Sequence, residues 1–131
     1  MNSEFLELKG LQKKFGNITA LDNVSLSVSK GEVICIIGPS GCGKSTLLRT
    51  VNWLSPPDNG EVRLEGQIVG SSSSPKLNME QSKLLNNFRA RMGMVFQQFN
   101  VWPHLNALEN VVRAQIIVSK KNRKDAEKKA L

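Results

Sequence analysis

Apolar side chains recur at every second position in Phe5-Leu6-Glu7-Leu8 and again in Val24-Ser25-Leu26-Ser27-Val28, the period of a strand with one buried face. Between them, Lys13-Lys14-Phe15-Gly16-Asn17 carries the glycine and asparagine of a turn with one aromatic at its edge, so the two runs predict an antiparallel sheet. A second turn, Lys30-Gly31, precedes Glu32-Val33-Ile34-Cys35-Ile36-Ile37, where apolar residues run on without alternation. That pattern predicts a central strand covered on both faces. Glycine-rich residues 38–43 then lead into Lys44 to Val51, whose apolar positions 47, 48 and 51 follow helical spacing. Ser55-Pro56-Pro57-Asp58-Asn59-Gly60 ends that helix, and Glu61 to Leu64 returns as a strand.

The second half is more helical. Gly70-Ser71-Ser72-Ser73-Ser74-Pro75 reads as a solvated low-complexity loop. Met79 to Phe88 predicts a helix with Leu84, Leu85 and Phe88 on one face, Met92 to Phe96 a short apolar strand, and Gln97 to Asn106 an irregular loop containing Pro103. Ala107 to Val118 is again helical, with a broad stripe from Leu108, Val111, Val112 and Gln115-Ile116. Asn122 is a good N-cap for a last helix over 122–131, with Asp125 in its first turn and no C-terminal stop signal.

Composition narrows the class. The 131 residues, 40% hydrophobic and 22% charged, describe a globular domain large enough to hold a core without disulfide or metal. The longest apolar run, Val33 to Ile37, is five residues, far short of the roughly 20 that a membrane span requires. Met1-Asn2-Ser3-Glu4 lacks the basic and apolar regions of a secretory signal, and Cys35 and Cys42 suggest neither a metal site nor a disulfide framework, so a reducing cytoplasm is expected. The net charge of +7 is uneven: residues 1–119 carry 12 basic and 9 acidic groups, and residues 120–131 carry 6 and 2. Because no aromatics interleave with the charges of Lys120 to Lys129, a solvated helix face accounts for them better than nucleic-acid binding.

The informative motif is Gly38-Pro39-Ser40-Gly41-Cys42-Gly43-Lys44-Ser45, a match to G-x-x-x-x-G-K-[ST] between an expected strand and an expected helix. Glycines at 38, 41 and 43 permit positive φ and let backbone N–H groups converge on an anion. The helix beginning near Gly43 adds its N-terminal partial charge and unpaired donors. Lys44 offers an ammonium to the β- and γ-phosphates, Ser45 a hydroxyl to Mg2+, and Thr46 a hydroxyl to a phosphate. Cys42 lies inside this cradle.

On these residues the chain resembles the ATP-binding subunits of ABC transporters. Gly38 to Thr46 is similar to their Walker A motif, and Gly93-Met94-Val95-Phe96-Gln97-Gln98-Phe99-Asn100-Val101-Trp102-Pro103-His104-Leu105 to their Q-loop, followed at Ala107-Leu108-Glu109-Asn110-Val111 by the start of a helical subdomain. The wording of that stretch, with the insertion from Gly70 to Met79, resembles importers of polar amino acids. The resemblance implies an α/β fold with a P-loop nucleotide-binding core, an antiparallel β subdomain at 1–30, P-loop core at 31–68, insertion and Q-loop at 69–106, and an incomplete helical subdomain from 107 to 131. It implies ATP and Mg2+ as cofactors, with Phe15 stacking on adenine, residues 38–46 cradling the phosphates, and Gln97 reaching Mg2+ and the attacking water. Lys44 and Gln97 are then the catalytic candidates, and Ser45 and Gln97 the metal ligands.

The implied partners are membrane permease subunits and a second ATP-binding subunit, with no nucleic acid, and the implied location is the inner face of the cell membrane. Gln98 reads as a surface residue, His104 as a contact or packing residue, and Trp53 and Trp102 as burial or interface residues. Two departures stand against full activity. No second apolar strand ending in Asp-Glu follows Ile37, and no Leu-Ser-Gly-Gly-Gln stretch is present. The expectation is therefore an N-terminal fragment or truncated product, inactive as an ATPase in isolation; the alternative to a coupling ATPase is a non-catalytic nucleotide- or permease-binding fragment.

Overall fold

The computed structural model describes residues 4–71, 79–98 and 100–131. They divide into two compact units, Met1–Arg89 and Ala90–Leu131. In the first, the alternating runs grow into a long hairpin, β1 (Glu4–Phe15) and β2 (Ile18–Ser29), closed by the two-residue loop Gly16-Asn17. After helix α1 (Lys44–Val51) come β3 (Asn59–Leu64) and β4 (Gln67–Ser71), completing an antiparallel sheet in the order β2-β1-β3-β4. β4 is not expected from the sequence, and it takes in Gly70 and Ser71, which read as the start of a loop; the rest of the expected serine-rich loop lies outside the described residues.

The core follows the pleat. Leu8 and Leu11 of β1, Leu21 of β2, and Val62 and Leu64 of β3 are buried, as are Leu47 and Val51 of α1. Leu85 and Phe88 of helix α2 (Met79–Arg91) are also buried. Each fully buried side chain of this size contributes about 1.5–3 kcal/mol. Leu48 and Leu84, which helical spacing places on the core faces, are exposed instead. Trp53, just past α1, is buried, and a Cβ on Gly70 would meet its ring at 2.6 Å. The guanidinium of Arg89 donates to the carbonyls of Asn52 (3.2 Å) and Trp53 (2.6 Å), tying α2 to the end of α1.

The expected central strand also fails to form in this unit. The turn before Glu32 forms, with Glu32 N–H donating to the Ser29 carbonyl, but residues 32–37 join no sheet, and Val33 and Ile37 are 91% and 88% exposed. A strand needs a neighbour for its N–H and C=O groups as well as apolar faces. Among the described residues, the four strands pair with one another and none pairs with this segment.

In the second unit, α3 (Ala107–Ile117) is started by a capping box in which Asn106 Oδ1 accepts from Glu109 N–H and the Glu109 carboxylate accepts from Asn106 N–H. Helix α4 (Arg123–Ala130) is capped as expected by Asn122, which accepts from Asp125 N–H at 2.8 Å. Val112 and Ala126 are the buried residues of this pair. The strand expected at Met92 to Phe96 does not form; Val95 is 99% exposed, and again no described strand pairs with it.

Candidate functional site

The phosphate-cradle motif is a turn that winds directly into α1. Gly41 has φ 79° and Gly43, the N-cap of α1, has φ 96°, both in the left-handed region that side chains resist. Leu47 N–H donates to the Gly43 carbonyl at 2.8 Å, the first bond of the helix. No side chain caps that helix and no acid sits in its first turn, so its N-terminal donors face an anion-favouring field.

Gly38 departs from the reading made of it. Its φ is not left-handed, and a Cβ there would stand 2.7 Å from Cys42 Sγ, the rotatable end of that side chain. Its contribution is close approach, and Gly41 and Gly43 alone supply the positive φ of this loop.

The Lys44 ammonium turns back over the loop, donating to the carbonyls of Gly38 (2.7 Å) and Pro39 (2.6 Å), with Cys42 Sγ at 3.6 Å. One cation thus gathers the first two residues of the motif. Ser45 and Ser40 are exposed, and Thr46 is half-buried with its carbonyl accepting from the Thr50 hydroxyl at 2.8 Å.

The sheet reaches this loop through β2. Lys13 faces Leu21 while Lys14 faces Thr19, so Ala20 is an extra residue in the hairpin, a β-bulge. A Cβ on Gly43 would lie 2.4 Å from the Ala20 carbonyl oxygen. Phe15, paired with Ile18 at the hairpin tip, is therefore about 7 Å along the strand from that contact. Phe15 is 52% exposed, with the Lys13 ammonium 5.6 Å from its ring centroid. Asp58 holds this end of β1: its carboxylate accepts from Lys13 Nζ (3.0 Å) and Lys14 N–H (2.7 Å), and its own N–H donates to the Gln12 carbonyl (2.8 Å). The Lys14 N–H first, and the Lys13 ammonium after it, hold the Asp58 carboxyl below its ordinary value.

Gln97 lies in the second unit, exposed with Gln98 in the segment after residues 92–96. Phe99 lies outside the described residues. Beyond it, Asn110 staples the loop that leads into α3. Its amide donates to the carbonyls of Trp102 (3.2 Å), Leu105 (3.0 Å) and Asn106 (2.9 Å) and accepts from Trp102 N–H (2.8 Å). The guanidinium of Arg113 covers the Trp102 ring at 5.2 Å. His104 is exposed on that loop. The bulge at Ala20 and the grips of Asp58 and Arg89 have no signature in sequence spacing. Only Asn110, four residues from Asn106 on one helix face, stands where a sequence reading would look for a partner.

Among the described residues, no cluster of three His, Cys, Asp or Glu side chains forms a metal site, and no helix is long and apolar enough to cross a membrane. In this loop the Ser45 hydroxyl is exposed, an oxygen donor that suits Mg2+ only with phosphate and water oxygens completing its shell.

The ABC transporter family profile matches residues 21–131. The glutamate transport ATP-binding protein GluA of Corynebacterium glutamicum is 40% identical over 96% of this chain and 48% of its own length. The arginine/ornithine transport ATP-binding protein AotP of Pseudomonas aeruginosa is 42% identical over 95% and 50%. Among solved structures, the ATP-binding cassette MJ0796, a dimer in a post-hydrolysis state bound to ADP and Pi, superposes with a TM-score of 0.76 at 37% identity, over 95% of this chain and 53% of that one. The chain spans about half the length of the curated relatives it matches.

Proposed function

Because the chain belongs to the ABC transporter family, with an α/β P-loop core, an antiparallel β subdomain and part of the helical subdomain, we propose that it is nucleotide-binding chain of an importer's ATP-binding subunit. In that role ATP binding and hydrolysis drive import of a polar amino acid through a membrane permease, at the inner face of the membrane, with a second ATP-binding subunit closing over the nucleotide. The names of the relatives support the amino-acid class. The observation that carries the reading is the cradle: left-handed Gly41 and Gly43 at an uncapped helix N-terminus, under a lysine that binds loop carbonyls.

Residues 38–46 then receive the triphosphate. Lys44 exchanges its two carbonyl partners for phosphate oxygens, a charge-assisted contact worth about 1.5–3 kcal/mol. Backbone donors of the first turn of α1 hold the remaining charge, and Phe15 offers a face to adenine. Ser45, with Gln97 in the assembled enzyme, would hold Mg2+, which when bound neutralises phosphate charge and orients the phosphoryl group. Gln97 would also position the water. The division of the chain at 1–30, 31–68, 69–106 and 107–131 belongs to this same reading.

Alkylation of Cys42 tests it, with Cys35 as internal reference because both thiols are free and exposed. Peptide mass spectrometry should show Mg-ATP slowing modification of Cys42 and not of Cys35, and Lys44→Ala should remove that protection. Equal rates at Cys42 with and without Mg-ATP would overturn the cradle.

A second reading is favoured by the sequence itself, which has no apolar strand ending in Asp-Glu after Ile37 and no Leu-Ser-Gly-Gly-Gln. On that reading the 131 residues bind nucleotide or permease without turnover. Phosphate release that disappears in Lys44→Ala would contradict it.

A further inference from the structure

The hairpin tip carries more organisation than an exposed aromatic needs. Lys13 Nζ is gripped by Asp58 Oδ1 at 3.0 Å and stands 5.6 Å from the Phe15 ring centroid. The other Asp58 oxygen takes Lys14 N–H at 2.7 Å, and Asn59 Nδ2 reaches Gln12 Oε1 at 2.8 Å. Residues 12–14 are thus pinned immediately before Phe15. The Lys13 side chain is 16% exposed, and its ammonium is ion-paired to Asp58 at 3.0 Å.

We propose that Lys13, clamped by Asp58, is a positioning residue that backs one face of Phe15 and leaves the other as the single platform for a purine base. The proposal rests on Phe15 being the base-stacking residue, the reading given above. A cation behind the ring draws π density away from it and favours an electron-rich base on the open face. With an ion-paired ammonium on one side of half-exposed Phe15, the other side of its ring is the one left to a base. Asp58 acts through Lys13 and touches no ligand.

Calorimetric titration of the 131-residue chain with ATP and, separately, inorganic tripolyphosphate tests this. Tripolyphosphate reports the cradle alone, and the ratio of the two affinities reports the base. Phe15→Ala should weaken ATP by about 5- to 150-fold, the range of one base stack. Lys13→Met, which keeps the stem and loses the charge, should weaken ATP about two- to five-fold with tripolyphosphate unchanged. Asp58→Asn, which retains an acceptor for Lys14 N–H, should do the same.

If the wild-type chain holds both ligands equally, or Phe15→Ala leaves the ratio unchanged, the stacking role of Phe15 is wrong and the proposal goes with it. If Phe15→Ala abolishes the preference for ATP while Lys13→Met and Asp58→Asn keep it, only the proposal is overturned. Parallel weakening of both ligands by Lys13→Met and Asp58→Asn would also overturn it, because the residues would then support the fold and not the ring.

Discussion

Gly43→Ala separates two costs that coincide at one atom. The residue has φ 96°, and an added Cβ would stand 2.4 Å from the Ala20 carbonyl oxygen. A carbon and a carbonyl oxygen come no closer than about 3.3 Å even in a favourable contact, so loop and bulge must part by about 0.9 Å. The left-handed backbone costs an alanine about 1–2 kcal/mol, and overpacking adds about 1–3 kcal/mol. Gly41→Ala is the control: φ is 79°, and nothing lies within 4 Å of its Cβ position. It should show the backbone cost alone. For a chain of this length each kcal/mol shifts the melting temperature by roughly 3–5 °C. Gly41→Ala should therefore melt roughly 3–10 °C below wild type, and Gly43→Ala roughly 3–15 °C below Gly41→Ala, followed by circular dichroism. Equal shifts for the two variants would refute the claim that the Ala20 bulge sets the seat of the cradle.

Three further outcomes follow from the other grips. Arg89→Met removes two charge-assisted bonds to the carbonyls of Asn52 and Trp53 and should cost about 1.5–3 kcal/mol in urea unfolding, with red-shifted Trp53 emission. Asn110→Ala should raise hydrogen exchange at Trp102 N–H about 5- to 30-fold, the equivalent of about 1–2 kcal/mol, while the capping box keeps α3 helical. Asp58, whose carboxyl is held low by Lys14 N–H and Lys13, contributes stability that is fully present above its unfolded value of about 3.9 and lost as pH falls through the folded one. The melting-temperature gap between wild type and Asp58→Asn should accordingly be constant from pH 7 to 5 and shrink below about pH 4; a gap that widens with acid would contradict the assigned contacts.

Local chemistry was legible and pairing was not. The β1-β2 hairpin could be read because alternation and a Gly-Asn turn lie within one stretch of chain. The cradle was legible for the same reason, its glycines and lysine being consecutive. The β3-β4 hairpin escaped notice because its turn is Glu65-Gly66, with Glu65 at φ 51°, a residue that carries little turn signal. Residues 32–37 were misplaced because a continuous apolar run reports which faces a segment is suited to bury and nothing about which strand will pair with it. Asp58 read as a turn residue, which it is; that its carboxylate crosses to β1 depends on β3 lying beside β1, a fact no spacing contains.

These contacts also separate affinity from chemistry. The residues proposed for the phosphates, Gly38, Gly41, Gly43 and Lys44, and the residue proposed for the base, Phe15 beside Lys13 and Asp58, all lie within Met1–Arg89. Gln97, the residue assigned to water and metal, belongs to Ala90–Leu131. Bonds such as Lys44 to the Gly38 carbonyl and Asp58 to Lys14 form inside the first unit and need nothing from the second. On the reading proposed above, the nucleotide-binding contacts belong to the first unit and the catalytic role proposed for Gln97 to the second. That reading predicts that nucleotide binding and turnover are separable, so that Lys44→Ala should abolish ATP binding in calorimetry while Gln97→Ala leaves it intact; loss of binding in Gln97→Ala would refute it.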